Sequence, residues 1–265
     1  MPRGRRVPEA MRVQKYVAQA GLASRRQAEA LMREGRIAIN GVPVQEMGTL
    51  VTPGVDTVAV DGRVVEAAPQ RWVVFHKPRG VLCTRSDPHG GETIYALLPA
   101  WAGPLRYVGR LDRDTSGLLL LTNDGDMGFA LAHPSGGVER EYVARVRGRI
   151  TARALRSLRQ GMELEDGFAR PRAVRKLRLG DEAWGVRLVL AEGRKREVRR
   201  LLKAVGHPVV ELERTRFGPF RLGRLKAGNW RPAHASELAQ ARALVRRRGG
   251  RRRNRSRRRQ GNDNG

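Results

Sequence analysis

The sequence holds a single cysteine, Cys83, among its 265 residues. That count excludes an internal disulfide and a multi-cysteine metal site. Its five histidines (His76, His89, His133, His207 and His234) are scattered, with no H-x-x-x-H or H-x-x-E-H spacing, so no metal site is expected. No apolar run approaches the roughly 18 residues that a membrane span requires. The basic start, Met1 to Arg6, is followed by no apolar signal-peptide core. A cytoplasmic protein without membrane contact is the expectation. Acidic residues are scarce as well: 26 Asp and Glu stand against 53 Lys and Arg, for a formal net charge of +27. Such an excess concerns partners rather than fold, because each phosphate neutralised by Arg or Lys releases counterions. Nucleic acid is the favoured partner, ahead of an acidic protein or an anionic membrane surface. Also absent are a Walker loop, a G-x-G-x-x-G after a strand, a G-x-S-x-G elbow and an H-E-x-x-H helix. ATP use through a P-loop is thereby disfavoured; the missing Gly-rich loop argues only weakly against a nucleotide cofactor.

What is present begins with a small module at residues 11–66. Val13, Val17 and Ala20 fall on one helical face, and Gly21 punctuates the end of that helix. Ser24 and Gln27 form an S-x-x-Q capping box that opens a second helix, with Ala28, Leu31 and Met32 inward and a stop at Gly35. Its outer face carries Arg25, Arg26 and Arg33. Ile37 and Ile39 alternate with polar neighbours, Asn40-Gly41 supplies a turn that tolerates positive φ, and Val42, Val44, Val58 and Val60 continue a small sheet. Arginines on the exposed helix suit RNA binding; an ordinary solvated face is the plainer reading.

After a short linker, residues 71–245 alternate strand-like and helical runs. The clearest strands are Trp72 to Phe75, Gly117 to Thr122, Tyr142 to Val146 and Val186 to Leu190; Arg153 to Gln160, Arg196 to Val205 and Ser236 to Val245 read as helices. Strands outnumber helices without a regular βαβ repeat, which predicts an α+β domain with a mainly antiparallel sheet. The last segment, 246–265, holds ten arginines and one aspartate, so it supplies +9 of the net charge. Having no apolar residue to bury, it is expected to be disordered and to tether RNA phosphates.

Two polar clusters are candidates for chemistry. Gly109-Arg110-Leu111-Asp112-Arg113-Asp114-Thr115-Ser116-Gly117 sets two carboxylates among arginines, immediately before the most apolar strand in the chain. Such a strand would anchor the loop rigidly, as a functional constellation requires. A structural turn, with Asp112 and Asp114 pairing to Arg110 and Arg113, fits those residues equally well. Glu192 to Leu202 places Arg196, Arg199 and Arg200 on adjacent helical turns, suited either to a site or to a solvent-facing basic helix.

Two resemblances bear on these alternatives. The run Met11-Arg12-Val13-Gln14-Lys15-Tyr16, with Ala23-Ser24-Arg25-Arg26-Gln27-Ala28 and Gly35-Arg36-Ile37-Ala38-Ile39-Asn40-Gly41, resembles an S4 RNA-binding domain. Gly109-Arg110-Leu111-Asp112, followed by Thr115-Ser116-Gly117-Leu118-Leu119-Leu120-Leu121-Thr122-Asn123-Asp124-Gly125, resembles the signature of the RsuA/RluB family of ribosomal RNA pseudouridine synthases. His76-Lys77-Pro78-Arg79-Gly80, Arg140-Glu141-Tyr142 and Glu192-Gly193-Arg194 through Arg199 resemble further motifs of that family, in the family's order. The resemblance implies a cofactor-free isomerase in which Asp112 is the essential carboxylate and Tyr142 stacks on the target uracil. Arg199 would pair with the aspartate and Leu202 would pack beside it. Arg110 would fill the space left by the flipped base, and Lys77, Arg25 and Arg26 would contact RNA. Arg140 stands where relatives carry lysine. Arg196-Glu197 replaces a frequent His-Gln; with the long tail, it points to the large-subunit, RluB-like branch. A monomer acting on 23S rRNA is the resulting expectation. A non-catalytic ribosome assembly factor and an RNA methyltransferase are the rival readings.

Overall fold

The computed structural model describes residues 9–180 and 183–260, excepting the side chains of 248–260. The chain divides after Arg71 into two units. The first contains β1 (Met11–Arg12), α1 (Val13–Gln19), α2 (Arg25–Arg33), β2 (Ile37–Ile39), β3 (Val42–Pro43), β4 (Leu50–Val51), β5 (Val58–Val60) and β6 (Arg63–Val65). Val13, Tyr16 and Val17 share one face of α1 and pack with Ala28, Met32, Ile37 and Val58 into one core. Burying each such side chain contributes about 1.5–3 kcal/mol, smaller for alanine. Both halves of the capping box form: Ser24 Oγ accepts from the Gln27 amide at 3.2 Å, and Gln27 Oε1 accepts from the Ser24 amide at 2.8 Å. Asn40 (φ 52°) and Gly41 (φ 83°) both take left-handed conformations, as the tight turn from β2 to β3 demands. The strand order is β3-β2-β5-β6, all antiparallel. Arg25, Arg26 and Arg33 lie on the exposed side of α2.

The second unit comprises β7 (Trp72–Lys77), β8 (Arg106–Val108), β9 (Ser116–Thr122), α3 (Gly125–Ala132), β10 (Arg140–Val146), α4 (Ala152–Gln160), β11 (Met162–Leu164), β12 (Gly167–Ala169), β13 (Ala173–Arg178), β14 (Trp184–Leu190), α5 (Glu197–Ala204), β15 (Val209–Phe217), β16 (Phe220–Arg221), β17 (Trp230–Pro232) and α6 (Ala235–Gln260). Among the described residues its main sheet has nine strands, in the order β13-β14-β10-β15-β9-β7-β17, with β16 on β15 and β8 on β9. Only β9 and β15 pair in parallel, so the sheet is mainly antiparallel, as the sequence predicts. The leucine run of β9 is explained by cover on both faces. Leu118 and Leu120 pack with Met127 and Leu131 of α3 and Ala241 of α6, whereas Leu119 and Leu121 pack with Ile94, Leu98 and Leu105. A third cluster joins α4 and α5 to β10 and β14.

The helix that sequence reading ends at Val245 continues to Gln260, through most of the segment expected to be disordered; residues 261–265 lie outside the described part. Its start is fixed, because the Glu237 carboxylate accepts from the His234 and Arg221 amides and from the Arg231 guanidinium. Arginine then ranks among the better helix formers, and no proline interrupts the run. No helix among the described residues is long and apolar enough to cross a membrane.

Candidate active site

The site forms where β9 begins, and a close backbone approach sets its position. Gly117 has φ +110°, and a Cβ there would lie 2.4 Å from the Arg214 carbonyl oxygen. Only glycine lets the loop before β9 press this tightly against β15. Lys77, at the end of β7, is fully buried beneath that loop and donates to the carbonyls of Pro78 and Thr115, each at 2.8 Å, and of Arg113 at 3.4 Å. Burial lowers the Lys77 ammonium, and the acidic side chains of Cys83, Asp114 and Asp112 partly offset that. The expected RNA contact by Lys77 is therefore corrected: a residue with no exposed surface holds the loop instead. Gly80 and Arg113 add a reciprocal tie, the Gly80 amide to the Arg113 carbonyl at 2.7 Å and Arg113 Nε to the Gly80 carbonyl at 3.0 Å.

Leu111 points inward and anchors the loop, so Asp112 is turned outward with its side chain 40% exposed. Facing it is the start of α5. Arg196 caps that helix in the left-handed conformation (φ 51°), a strained choice for a non-glycine residue. That conformation spreads its guanidinium over both carboxylates: Nη1 and Nη2 bond Asp114 at 3.2 and 3.3 Å, and Nη1 lies 3.9 Å from Asp112 Oδ2. Arg199, expected to pair with Asp112, pairs instead with Asp114, through its carboxylate at 3.1 Å and its carbonyl at 2.9 Å. The Arg199 side chain is 12% exposed and meets the loop at Asp114, two residues before β9 begins at Ser116. Burial would raise the Asp114 carboxyl, but the Arg196 hydrogen bonds and the Arg199 charge outweigh it and hold it below the usual carboxylate range. Asp114 thus carries the close ion pairs, and Asp112, about as exposed, is left with the 3.9 Å approach of Arg196. Among the described residues neither forms an ion pair with Arg110 or Arg113 as the structural-turn reading supposes.

Asp112 lines a cleft of about 700 Å³ together with Tyr142, Arg110, Cys83, Val198 and Arg214. Tyr142 is half-buried on β10, packed between two of the hydrophobic clusters. Arg110 is exposed at the rim. Leu202 does not line the cleft: it lies fully buried in the core behind α5, and Val198, one turn earlier, is the apolar residue that reaches the site. Arg140 is buried and donates to the carbonyls of Val138, Glu192, Leu131 and Ala132, bracing the Glu192 loop. Sequence reading missed Arg214, which is 2% exposed with its Nε bonded to the Leu118 carbonyl. Its Nη2 is buried without a hydrogen-bond partner, which marks a donor available to a ligand group. No motif identifies it; the available signal was that Arg214 falls in phase with Leu212 on the inward side of an alternating strand.

A cleft that sets an accessible carboxylate beside a half-buried aromatic and buried guanidinium groups narrows the field of enzymes. The family model for RNA pseudouridylate synthase matches residues 71–204, and that for the S4 domain matches residues 11–56. The chain belongs to the RNA pseudouridine synthase family. It is 41% identical to an RNA pseudouridine synthase of Aquifex aeolicus, over 87% of this chain and 93% of the relative. To the ribosomal large subunit pseudouridine synthase B of Bacillus subtilis it is 39% identical, over 88% and 96% respectively. A crystal structure of a pseudouridylate synthase superimposes with a TM-score of 0.60 at 26% identity, covering 87% of this chain and 99% of that one. The region matched, residues 71–204, contains the Asp112 loop, Tyr142 and Arg199.

Proposed function

We propose that this synthase converts a uridine of large-subunit (23S) ribosomal RNA to pseudouridine, acting as a cytoplasmic monomer with Asp112 as its catalytic carboxylate. The observation that carries the reading is the placing of Asp112, unpaired by Arg199 and open to the cleft, on the same walls as Tyr142. Similarity to a large-subunit synthase supports the choice of RNA. The reaction breaks the bond from C1′ to N1, turns the uracil and joins C5 to C1′. No atom is gained or lost overall, except that the proton on C5 exchanges for one on N1. A carboxylate near the ribose serves either by attacking C1′ or by removing the C2′ proton. Tyr142 offers the detached ring a flat surface that leaves it free to rotate in plane. The unpartnered Arg214 donor is suited to a uracil carbonyl, and Arg196 steadies the charge on Asp112. Arg110 at the rim fills the gap left when the nucleotide everts, which costs a few kcal/mol. Contacts to phosphate by Arg25 and Arg26 and by the basic tail offset that cost.

Ribosomal RNA tritiated at uracil C5 tests this directly. Wild-type protein is expected to release tritium to water without any added cofactor, and Asp112→Asn to release none while keeping RNA affinity within about twofold. Near-normal release by Asp112→Asn would remove Asp112 from its role. Dependence on S-adenosylmethionine would favour a methyltransferase, and no chemistry at all an assembly factor.

A further inference from the structure

Beside the catalytic cleft lies a second one, of about 820 Å³, which the proposed reaction does not use. The two share Pro134, Glu192 and Glu197 in their walls. Arg159 near the end of α4, Arg170 and Arg172 between β12 and β13, and Arg175 of β13 line this second cleft, and all four are exposed. None of the four has a carboxylate within ion-pair distance among the described residues, whereas Arg194, Arg196, Arg199 and Arg200 are all paired. The two acidic residues of the wall do little to offset them. Glu192 is taken by Arg194 Nε at 2.6 Å. Glu197 is only 4% exposed, and its burial, reinforced by the charge of Glu192, raises its carboxyl above the usual range.

At the edge of the same cleft Phe168 exposes 54% of its surface. Its hairpin, β11–β12, is fastened to the catalytic segment. Arg194 donates to the carbonyls of Asp166, Gly167 and Phe168 at 3.2, 2.8 and 2.9 Å, and Arg200 grips the Asp166 carboxylate at 2.7 and 2.8 Å. Gly161 leaves room for the ring, since a Cβ there would lie 2.6 Å from Phe168 Cζ. Arg159 Nη2 and Arg170 Nε donate to the Val174 and Arg159 carbonyls, which leaves their charge unneutralised. A fixed, exposed aromatic next to four such guanidinium groups meets both needs of single-stranded nucleic acid: cations for phosphates and a π face for a base.

We infer that this second cleft binds a single-stranded stretch of the substrate RNA adjoining the target nucleotide, with phosphates on Arg159, Arg170, Arg172 and Arg175 and a base stacked on Phe168. The inference rests on the reading that the substrate is RNA. An acidic peptide would satisfy the arginines, but the exposed ring and the wall shared with a nucleotide-sized cleft favour RNA. Fluorescence anisotropy with a fluorescein-labelled twelve-nucleotide oligouridylate, over a KCl series, tests it on the full chain. Arg172→Glu combined with Arg175→Glu is expected to weaken binding about 10-fold or more and to lower the salt slope by about 1.4, for two lost single-strand phosphate contacts. Phe168→Ala is expected to weaken binding about 10-fold, and Phe168→Trp to restore it. Melting temperatures should hold, because all three residues are exposed. Affinities and slopes like those of the parent protein in all variants would overturn the inference, and are the result expected if the cleft takes an acidic protein. Loss of oligouridylate binding by variants of a protein that releases no tritium would uphold the cleft and remove the isomerase. Tritium release with variants that bind like the parent would do the reverse.

Discussion

Both ring nitrogens of His76 face acceptors: Nδ1 lies 2.7 Å from the Leu225 carbonyl oxygen and Nε2 lies 3.3 Å from a Glu213 carboxylate oxygen. Two acceptors require two N–H groups, which only the protonated ring supplies. The Glu213 hydrogen bond accordingly raises the histidine; burial opposes it, and the Leu225 bond assists. A group whose value is raised by folding contributes stability in full below its unfolded value of about 6.5, and loses it as pH rises through the raised value. Thermal melts from about pH 6 to about pH 9 should show a decline that Glu213→Gln flattens. An equal decline in that variant would locate the titration elsewhere. The same scale shows what could and could not be read from the sequence at the site. Asp112 stood out because of its motif, but Asp114 carries the ion pairs expected of Asp112. A difference of two residues in a loop decides which carboxylate takes the close ion pairs, and that depends on Leu111 turning inward and on Lys77 gripping carbonyls from below. Neither contact has a signature in composition or spacing.

At the scale of elements, period and punctuation made most of the fold legible. The capping box at Ser24, the Asn40-Gly41 turn and the strands at 72–75, 117–122, 142–146 and 186–190 follow from side-chain pattern, and the structure extends each strand by one or two residues. The parallel pairing of β9 with β15, across some hundred residues of chain, has no local cue. The hairpin β11–β12 was equally hidden, because its strands are three residues each. Gly117 joins the two kinds of information, being a motif residue whose purpose appears only in the pairing. Gly117→Ala would force a Cβ to within 2.4 Å of the Arg214 carbonyl oxygen and 2.5 Å of its nitrogen, at a φ that disfavours side chains. Backbone on both sides cannot yield cheaply, so urea denaturation should show a loss of about 3 kcal/mol or more. The Asp112 loop should be displaced with it, and turnover should fall at temperatures where the variant is still folded. Parental stability would mean that the close approach is not what fixes the loop.

For the whole molecule, the net charge of +27 is unevenly shared: residues 246–265 supply +9 of it. The backbone is helical through Gln260. The electrostatic consequence follows from the charge itself. Each phosphate contact adds roughly 0.7 to 0.9 to the salt slope of RNA binding, and ten arginines offer up to ten such contacts. Cutting the chain after Val245 keeps Ala241 and Glu237, the residues that dock the helix, so the catalytic unit should fold as before. The truncated protein is expected to bind ribosomal RNA more weakly, with a slope shallower by about 3 or more if half the arginines engage phosphate. Tritium release at saturating RNA should be unchanged, because no residue of the cleft has been touched. A slope that stays the same would show that the arginines do not engage phosphate. A fall in the saturated rate would show that the segment acts on the chemistry and not only on the grip.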